Sequence, residues 1–502
     1  MFNKKIIATS AFVTALAMPG AGCAQSKSQA PEPEYDAATM LTPAQVASDV
    51  ALAEEAYERI HPGYTRYTDA ETLKAAWAAI AVKAAAQKGM TIGDFYLEIQ
   101  NVLTLIRCDH TKAELPSQLA KARNVTPIYL PLRWTLIEDR AIVTIAAETG
   151  LSRGDEIIAI DGRPIAEMIA EVVPLVPVDG YTEWSRRSGI SESLEFRGGA
   201  IDHFGALLWD IKPSATLTIA GADGAKRDVV VERIIHRKWT ALSKLAADAP
   251  AANFKDAIGF ERLGSQSAYL KVDTFVNYRD PVKPKQLFDP IFDALRKEGR
   301  ENLILDLRKN GGGSNDAQQA LTSYLFDKPV KLATDARVKT LNHKGLEDYL
   351  WTWDKRAINP SALGFSRNDD GTYSLRSFVE DLIKPVKPAK NGFRGKLIVL
   401  TSDSNSSASA TLVALLKSSG RAVLVGEKTG GSPDGNTGGL QFTLTVPESH
   451  VRMRIPMIRY FNDLKGFETG QGITPDKMVP LTVSAFRAGS DPALEAAKAL
   501  VM

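Results

Sequence analysis

Cysteine is scarce in this chain of 502 residues, which contains only Cys23 and Cys108. Two cysteines permit at most one disulfide, so covalent cross-links cannot replace a hydrophobic core. The composition, with 44% hydrophobic and 24% charged residues, is instead that of an ordinary globular protein. A chain of this length has room for two or three domains, and we expect its stability to come from packed cores.

The chain also has little net charge and no long apolar run. The 61 Lys and Arg residues nearly balance the 59 Asp and Glu residues, which leaves a formal charge of +2. Because no run of basic residues supplies a local positive field, the sequence argues against nucleic-acid binding. No stretch reaches the roughly 18 apolar residues that a membrane-spanning helix needs. We therefore predict no nucleic-acid partner and no transmembrane helix in the mature protein.

Motifs for metals and nucleotides are absent as well. The pattern H-E-x-x-H does not occur, the six histidines are scattered, and Cys108 alone is not a metal site. Neither G-x-x-x-x-G-K-[ST] nor G-x-G-x-x-G occurs, which argues against a nucleotide. We expect no metal and no cofactor.

The first 26 residues have the three parts of a secretory signal: two lysines, an apolar stretch from Ile6 to Met18, and then small residues. The sequence "GAGC", which ends at Cys23, resembles a bacterial lipobox, in which Cys23 would be lipidated. Cleavage after Ala24 also fits, because Gly22 and Ala24 are small. Either cut leaves no intramolecular disulfide. We predict an exported protein, either periplasmic or anchored to the membrane as a lipoprotein.

Three regions with different patterns follow this leader. Residues 27–40 are polar and contain proline, as in a flexible linker. Residues 41–125 have apolar side chains at helical spacing and are predicted to form a helical domain, whose second long helix runs into "CDHT" at 108–111. Residues 126–240 contain short β-like runs and glycine turns, and "RGDEIIAIDG" followed by an amphipathic segment resembles a PDZ domain. That unit is interpreted either as a peptide-binding module or as a rigid spacer.

Residues 241–490 alternate apolar strand runs, such as "ENLILDLR" and "KLIVLTS", with helix-like segments. This alternation is typical of an α/β core with buried strands. Residues 491–502 are predicted to be a C-terminal helix. The whole chain is therefore predicted to be a multi-domain α+β protein with an α/β core.

Three stretches of this core have the residue types of a catalytic site. "LILDLRKNGGGS" at 303–314 ends a strand in three glycines, which let the backbone approach a ligand closely. "SDSNSSASATLVALL" at 402–416 places serines between a strand and a helix, where first-turn N–H groups can stabilise an oxyanion. The same serines are equally common as plain helix caps. "VGEKTGGSPDGNTGG" at 425–439 is a long loop of the kind that shapes a cleft.

Together these stretches resemble the C-terminal processing (tail-specific) serine peptidases and their relatives, which include the tricorn core protease. The matching motifs are "DLRKNGGG", "SASA" at 407–410, "GRAVLVGEKTGG" at 420–431 and "GITPD" at 472–476. They occur in the family's order, after a PDZ-like unit. The resemblance extends over residues 41–490 and implies a crotonase/ClpP-like α/β peptidase core.

The resemblance also implies roles for single residues. It makes Ser407 the nucleophile, and it makes the backbone N–H groups of Ala408 and of Gly312 in the glycine turn the oxyanion hole. The other serines of the stretch are then expected to form caps and turns: Ser404, Ser406 and Ser409.

The general base is where this chain departs from the best-known branch of the family. That branch uses a lysine at the position of Ser432, and it usually has a glutamate where Ala410 stands. Lys428 is expected to be a solvated side chain. "RCDHT" resembles the motif of the tricorn-like branch, which implies that His110 is the base. An ordinary histidine pKa of about 6.5 suits proton abstraction at neutral pH. The alternative is a histidine that only complements a helix dipole.

The group that orients His110 is also taken from the resemblance. Glu468 of "GFETGQGITPD" is the nearest candidate to complete the catalytic set. Asp109 is expected only to support the local turn, since side chains of adjacent residues rarely face each other.

These features predict an exported serine-type peptidase that hydrolyses peptides or the C-terminal tails of proteins. Its partner would be a peptide or protein substrate, and the sequence does not indicate an oligomeric state. The alternative is a non-catalytic ligand-binding or peptide-binding protein on a peptidase scaffold.

Overall fold

The computed structural model describes residues 36–147, 149–193, 195–245 and 251–501. The predicted signal, Cys23 and most of the linker lie outside these residues. Within them, no helix is both long enough and apolar enough to cross a membrane.

The first unit is mainly helical. Its first long helix begins in a capping box: the Thr42 hydroxyl accepts from the Gln45 N–H, and the Gln45 side chain accepts from the Thr42 N–H. The third helix buries an apolar face that includes Ile92, Phe95 and Ile99. The elements are β1 (Met40–Leu41), α1 (Pro43–Ile60), α2 (Ala70–Gln87), β2 (Met90–Thr91), α3 (Ile92–Leu105), β3 (Lys112–Glu114) and α4 (Ser117–Ala122).

The second unit is a small antiparallel sheet with two helices. Its strands follow the order β4-β5-β6-β8-β9, and β7 pairs with β6 at the side. The elements are β4 (Arg133–Ile137), β5 (Arg140–Ile145), β6 (Glu156–Ile160), β7 (Arg163–Pro164), α5 (Ile165–Val172), α6 (Ala200–Leu208), β8 (Ser214–Ala220) and β9 (Lys226–Glu232), followed by α7 (His236–Leu242).

The third unit contains two sheets. Its first half comprises β10 (Ile258–Leu263), β11 (Ser267–Val272), α8 (Pro284–Lys297), β12 (Asn302–Asp306), α9 (Asn315–Leu325), β13 (Asp335–Val338), β14 (Leu350–Trp351), β15 (Phe365–Arg367) and β16 (Tyr373–Leu375). Its second half comprises β17 (Lys396–Thr401), α10 (Ser407–Ser418), β18 (Val423–Gly426), β19 (Thr437–Thr445), β20 (Arg452–Phe461), β21 (Lys477–Met478), α11 (Val483–Ala488) and α12 (Pro492–Lys498).

The six-stranded sheet of this unit has the order β10-β11-β12-β17-β18-β21. All neighbours from β11 to β21 are parallel, and β10 is antiparallel to β11. Because β12, β17 and β18 are adjacent and parallel, the loops that leave their carboxyl ends lie at one edge of the sheet. These loops are the glycine turn, the serine stretch and the 427–436 loop. Strand order alone therefore brings the three motifs together.

The second sheet of the unit has the order β14-β19-β20-β13-β16-β15, and β3 pairs with β20 beside this path. The register places Lys112 opposite Arg454 and Glu114 opposite Arg452. The strand that follows "CDHT" is therefore part of a sheet in the third unit, which carries His110 from the helical unit to the catalytic motifs. The predicted multi-domain mixture of helices and sheets is confirmed. The limits predicted for each domain stay predictions.

Candidate active site

Ser407 is the first residue of α10 and has a φ of +49°. This left-handed backbone conformation is uncommon outside glycine, and such strain persists only where the surrounding structure imposes it. The helix that follows is anchored by Leu412, Val413 and Leu416, which are buried in the core beneath the six-stranded sheet. Ser407 is thus held in a tight strand-to-helix turn that exposes a hydroxyl at a helix N-terminus.

Asn405, which is fully buried, fixes the loop before Ser407. Its Nδ2 donates to the carbonyl oxygens of Leu307 at 2.6 Å and Asn310 at 3.1 Å. Its Oδ1 accepts from the Ser402 N–H at 2.9 Å. Both ends of this buried amide are therefore hydrogen-bonded: Nδ2 ties the serine loop to the segment after β12, and Oδ1 closes the loop on itself.

Gly312 lies against the nucleophile turn with a φ of +104°. A Cβ atom at this position would be 2.9 Å from the Ser407 Cβ and 3.1 Å from the Ala408 nitrogen, so only glycine permits this approach. The Gly312 N–H itself donates to Asn310 Oδ1 at 2.9 Å. In this structure the predicted oxyanion donor is therefore engaged by Asn310 and does not point freely into the site.

The N-terminus of α10 has no side-chain cap among the described residues. Ser406 occupies the cap position, as expected, but its hydroxyl donates to Asp109 Oδ2 and does not cap the helix backbone. Gln318, which is buried, donates from Nε2 to the Ala408 carbonyl at 2.7 Å and fixes that peptide. The N–H groups of Ser409 and Ala410 donate to the Ser406 carbonyl at 3.0 Å and 3.1 Å, so the N–H of Ala408 is the first-turn group suited to an anionic ligand.

His110 lies in a turn between α3 and β3, closed by a hydrogen bond from the Thr111 N–H to the Cys108 carbonyl at 3.0 Å. Its ring lies beside Gly438, where a Cβ atom would be 3.4 Å from Nε2. Its Nδ1 is 2.6 Å from Asp109 Oδ1, an ion-pair contact without the alignment of a good hydrogen bond. The expectation that Asp109 serves only the local turn is wrong, because Asp109 contacts both His110 and Ser406.

The charges of this pair depend on each other. Burial alone would lower the pKa of His110, but the Asp109 carboxylate outweighs it and raises the pKa well above the ordinary value. Burial alone would raise the pKa of Asp109, but the charge of His110 and the hydrogen bond from Ser406 hold that pKa below its usual value. The Asp109 carboxylate thus stabilises the protonated form of His110, and His110 in turn stabilises the charged form of Asp109.

Asn436 is a site residue that the sequence did not reveal. Its Nδ2 donates to Ser407 Oγ at 3.0 Å, and its carbonyl accepts from the Tyr460 N–H at 2.9 Å. Asn436 lies two residues before Gly438, so this segment touches both Ser407 and His110. The only sequence signal for it is its place in the glycine-rich 425–439 loop.

Lys428 and Glu468 lie elsewhere. The Lys428 Nζ stacks 3.8 Å from the centre of the Trp184 ring and donates to Gln471 Oε1 at 3.2 Å. Burial lowers the pKa of Lys428, while the exposed Glu468 acts to raise it. Within the described ranges no ion pair joins Glu468 to His110, and Asp109 is the carboxylate at that distance. The structure therefore does not bring Glu468 to the predicted base.

Ser432, at the position of the family's lysine, is buried in a polar cluster. Its N–H donates to Asp179 Oδ2 at 3.0 Å, and its hydroxyl donates to Asp434. Asp434 also forms an ion pair with Arg66 of the helical unit. The position is thus used to fix the loop that carries Asn436.

The turn that holds the base also has the donors of a metal site. One ligand atom each from Cys108, Asp109 and His110 lies within 4.8 Å of the others. A thiolate, a carboxylate and an imidazole suit a borderline divalent ion such as zinc. Ligation through His110 would compete with proton transfer by the same ring.

The site can now be compared with known proteins. The family model "Peptidase family S41" matches residues 266–479, and the model "PDZ domain" matches residues 126–239. A carboxyl-terminal-processing protease of Picosynechococcus sp. is 26% identical over 221 residues, which are 44% of this chain and 41% of that protein. A protein of Chlamydia pneumoniae is 28% identical over 221 residues, or 38% of this chain and 34% of that one. The matches thus span less than half the length of these relatives.

Two crystal structures of CPAF share the fold over most of the chain. A CPAF mutant superimposes with a TM-score of 0.62 at 16% identity and covers 91% of this chain and 96% of that one. Mature CPAF complexed with lactacystin gives a TM-score of 0.60 at 16% identity, with 91% and 97% covered. At this identity the likeness concerns the fold alone. The family matches themselves lead to one conclusion: residues 266–479 are a peptidase family S41 domain, and the unit before it is a PDZ domain.

Proposed function

We propose that the chain is a serine peptidase that hydrolyses peptides or the C-terminal tails of proteins, with Ser407 as nucleophile and His110 as general base. The main support is the Ser407 turn itself, whose hydroxyl stands at an uncapped helix N-terminus against the glycine turn. The contact between Ser406 and Asp109 brings the His110 turn to the same place. The carboxyl-terminal-processing name of the cyanobacterial relative supports the substrate class.

In the proposed reaction, neutral His110 takes the proton of Ser407 Oγ as that oxygen attacks the peptide carbonyl carbon. The carbonyl oxygen becomes an oxyanion, which accepts from the Ala408 N–H. The imidazolium then gives its proton to the leaving amine, and an acyl ester of Ser407 remains. A water molecule, deprotonated by His110, attacks the ester carbonyl carbon. As the bond to Ser407 Oγ breaks, the imidazolium returns that proton to Oγ, and the carboxylic acid leaves.

The second oxyanion donor is assigned to the glycine turn. Gly312 is close enough to Ser407 to act, but its N–H donates to Asn310 Oδ1 in this structure. We therefore include a rotation of the Gly312 peptide away from Asn310 in the catalytic cycle. The second donor would outweigh the hydrogen bond to Asn310 that the rotation breaks, because loss of one oxyanion donor typically lowers the rate by about 10²- to 10³-fold.

Asp109 takes the role of orienting His110 in this proposal. Its Oδ1 lies 2.6 Å from His110 Nδ1, so Nε2 is the nitrogen left to face Ser407. The role implied for Glu468 stays a prediction, and no step of the proposed reaction uses it.

The alternative is a binding protein on a peptidase scaffold. It is favoured by two contacts of the resting site: Asn310 occupies the Gly312 N–H, and the Asn436 amide donates to Ser407 Oγ. Under that hypothesis the site around Ser407 would hold a peptide or another ligand without cutting it.

Hydrolysis decides between the two functions. The mature protein would be incubated with unfolded polypeptides, and the products would be identified by mass spectrometry. We expect internal or tail-proximal cleavage that stops in Ser407→Ala, with an unchanged melting temperature, and continues in the matched variant Ser404→Ala. Saturable binding of the same polypeptides without any cleavage would favour the binding protein.

We also propose that the protein is exported through its N-terminal signal, as a lipoprotein or as a soluble periplasmic form. N-terminal analysis of the native protein separates the two forms. A lipid-modified Cys23 would show the membrane anchor, and an N-terminus at Gln25 would show the soluble form. An intact N-terminus at Met1 in cells of the native host would contradict export by this signal.

A further inference from the structure

Two cations lie directly opposite each other where β3 joins β20. Lys112 and Arg454 are register partners, and Lys112 is only 1% exposed. Like charges facing each other across two strands destabilise a sheet, and a buried ammonium needs a counter-ion. Glu114 supplies a counter-ion for Arg454, since its Oε1 lies 2.5 Å from Arg454 Nε. The Lys112 amine still requires an anion of its own.

Glu195 provides that anion from a different unit. Its Oε2 forms an ion pair with Lys112 and lies 2.8 Å from Arg454 Nη1. The Glu195 side chain is 47% exposed, whereas that of Lys112 is 2% exposed. A surface carboxylate from the loop before α6 therefore covers a buried amine.

This carboxylate contact is next to the proposed catalytic base. Lys112 follows His110 by two residues, and the charge of Asp109 acts on Lys112. Partial desolvation of its carboxylate acts to raise the pKa of Glu195, but the charges of Lys112, Arg454 and His110 together lower it. Glu195 is thus held by the same group of cations that includes the base.

We propose that Lys112 and Arg454 form a carboxylate-binding subsite beside His110, that Glu195 closes it in this structure, and that a carboxylate of the substrate replaces Glu195. Only an anion can replace it, because a neutral group would leave the Lys112 amine buried without a counter-ion. The subsite therefore selects substrates by charge. This inference rests on the proposed peptidase function for its role, but carboxylate binding itself does not require cleavage.

The test measures binding in the Ser407→Ala background by calorimetry. The probes are N-acetylated tetra-alanine with a free C-terminal carboxylate, the same peptide as its C-terminal amide, and the amide with a terminal aspartate. We expect the free acid to bind roughly tenfold to a hundredfold more tightly than the neutral amide, as a charged hydrogen-bonded pair allows. Tighter binding of the aspartyl amide would identify a side-chain carboxylate as the source, and tighter binding of the free acid an α-carboxylate.

Substitutions test whether the preference for the acid arises at Lys112 and Glu195. Glu195→Gln removes the internal competitor and should strengthen binding of the acid several-fold, whereas Lys112→Met should abolish the difference between acid and amide. Glu192→Gln is the matched control, because this glutamate lies three residues earlier and pairs with Arg133. Acetate should also raise the melting temperature of Glu195→Gln more than that of Glu192→Gln. This readout remains if Lys112→Met does not fold.

Equal binding of acid and amide in both the Ser407→Ala parent and its Glu195→Gln form would overturn the subsite. So would the absence of any peptide binding at millimolar concentration. Preferential binding of an acid by a chain that cleaves nothing would refute the peptidase function and leave the subsite in place. Cleavage without any preference for a charged peptide would support the peptidase function and refute the subsite.

Discussion

The nucleophile turn and the base turn of this site are built in different ways. The turn at 402–408 belongs to a local strand, loop and helix, and a buried amide, Asn405, fixes it to the adjacent strand end. The turn at 107–111 comes from another unit. It is positioned by the pairing of β3 with β20 and by the contact between Asp109 and Ser406.

The two turns therefore differ in what controls them: close packing at the nucleophile turn and charge at the base turn. The nucleophile turn is rigid, because its strained Ser407 backbone and its glycine contact are imposed by close packing. The base turn depends on charge, because the ionisation of His110 is set by Asp109. We therefore expect steric changes to be most damaging at the first turn, and pH or charge changes to act at the second.

Removal of the base should have the largest effect. His110→Ala should lower kcat/KM by roughly 10²- to 10⁴-fold, since a positioned acid-base group contributes that much. Lys428→Ala is the control, because its amine stacks on Trp184. Peptide hydrolysis by purified variants would measure both. The opposite ranking, with Lys428 essential and His110 dispensable, would replace the histidine mechanism with a lysine base.

A steric change in the glycine turn should come next. Gly312→Ala adds a Cβ 2.9 Å from the Ser407 Cβ at a residue with a φ of +104°. We expect kcat to fall by about 10²- to 10³-fold, the usual loss for one oxyanion donor. Gly311→Ala is a matched control, because its new Cβ would meet nothing closer than the Ser404 carbonyl at 3.6 Å. Similar rates for the two variants would remove the glycine turn from catalysis.

The charge of the base turn can be tested by pH. Only neutral His110 accepts a proton, and Asp109 raises the pKa of His110, so activity should be lost as the pH falls through a value above 6.5. In Asp109→Asn the raising carboxylate is gone and burial lowers the pKa. The acid limb of the kcat/KM profile should therefore move to lower pH. An unmoved limb would show that Asp109 does not control the base.

Loss of the Asn436 amide should have the smallest effect. Asn436→Ala removes one neutral hydrogen bond to Ser407 Oγ, so we expect kcat to change by only about 2- to 10-fold. Asn462→Ala is the control, since its amide donates to the Pro433 carbonyl in the same region. Comparison of single-turnover rates would detect the change. A loss comparable to that of His110→Ala would make Asn436 a principal catalytic group.

The sequence was sufficient for the parts of this site that are local. The order of strand, serine loop and helix predicted the Ser407 turn, and three consecutive glycines predicted a close backbone approach. The fold class followed from alternating apolar runs, and the described structure confirms it. These features depend on neighbours along the chain, which a single sequence displays.

The remaining features depend on residues that are distant in sequence. The roles of Asn310 and Asn405 follow from strand order, and the bridge from Glu195 to Lys112 and Arg454 joins three separate segments. The contact of Asp109 with its neighbour His110 was missed for another reason. It requires the tight turn closed from Thr111 to Cys108, and that turn has no glycine or proline to signal it.

The central claim is that Ser407 is an activated nucleophile, and covalent labelling tests it most directly. The mature protein would be treated with a fluorophosphonate at a pH above the acid limb, digested, and analysed by mass spectrometry. We predict an adduct on Ser407 and none on Ser404, Ser406 or Ser409, with labelling slowed strongly in His110→Ala. An unlabelled protein, or an adduct on another serine, would contradict the account.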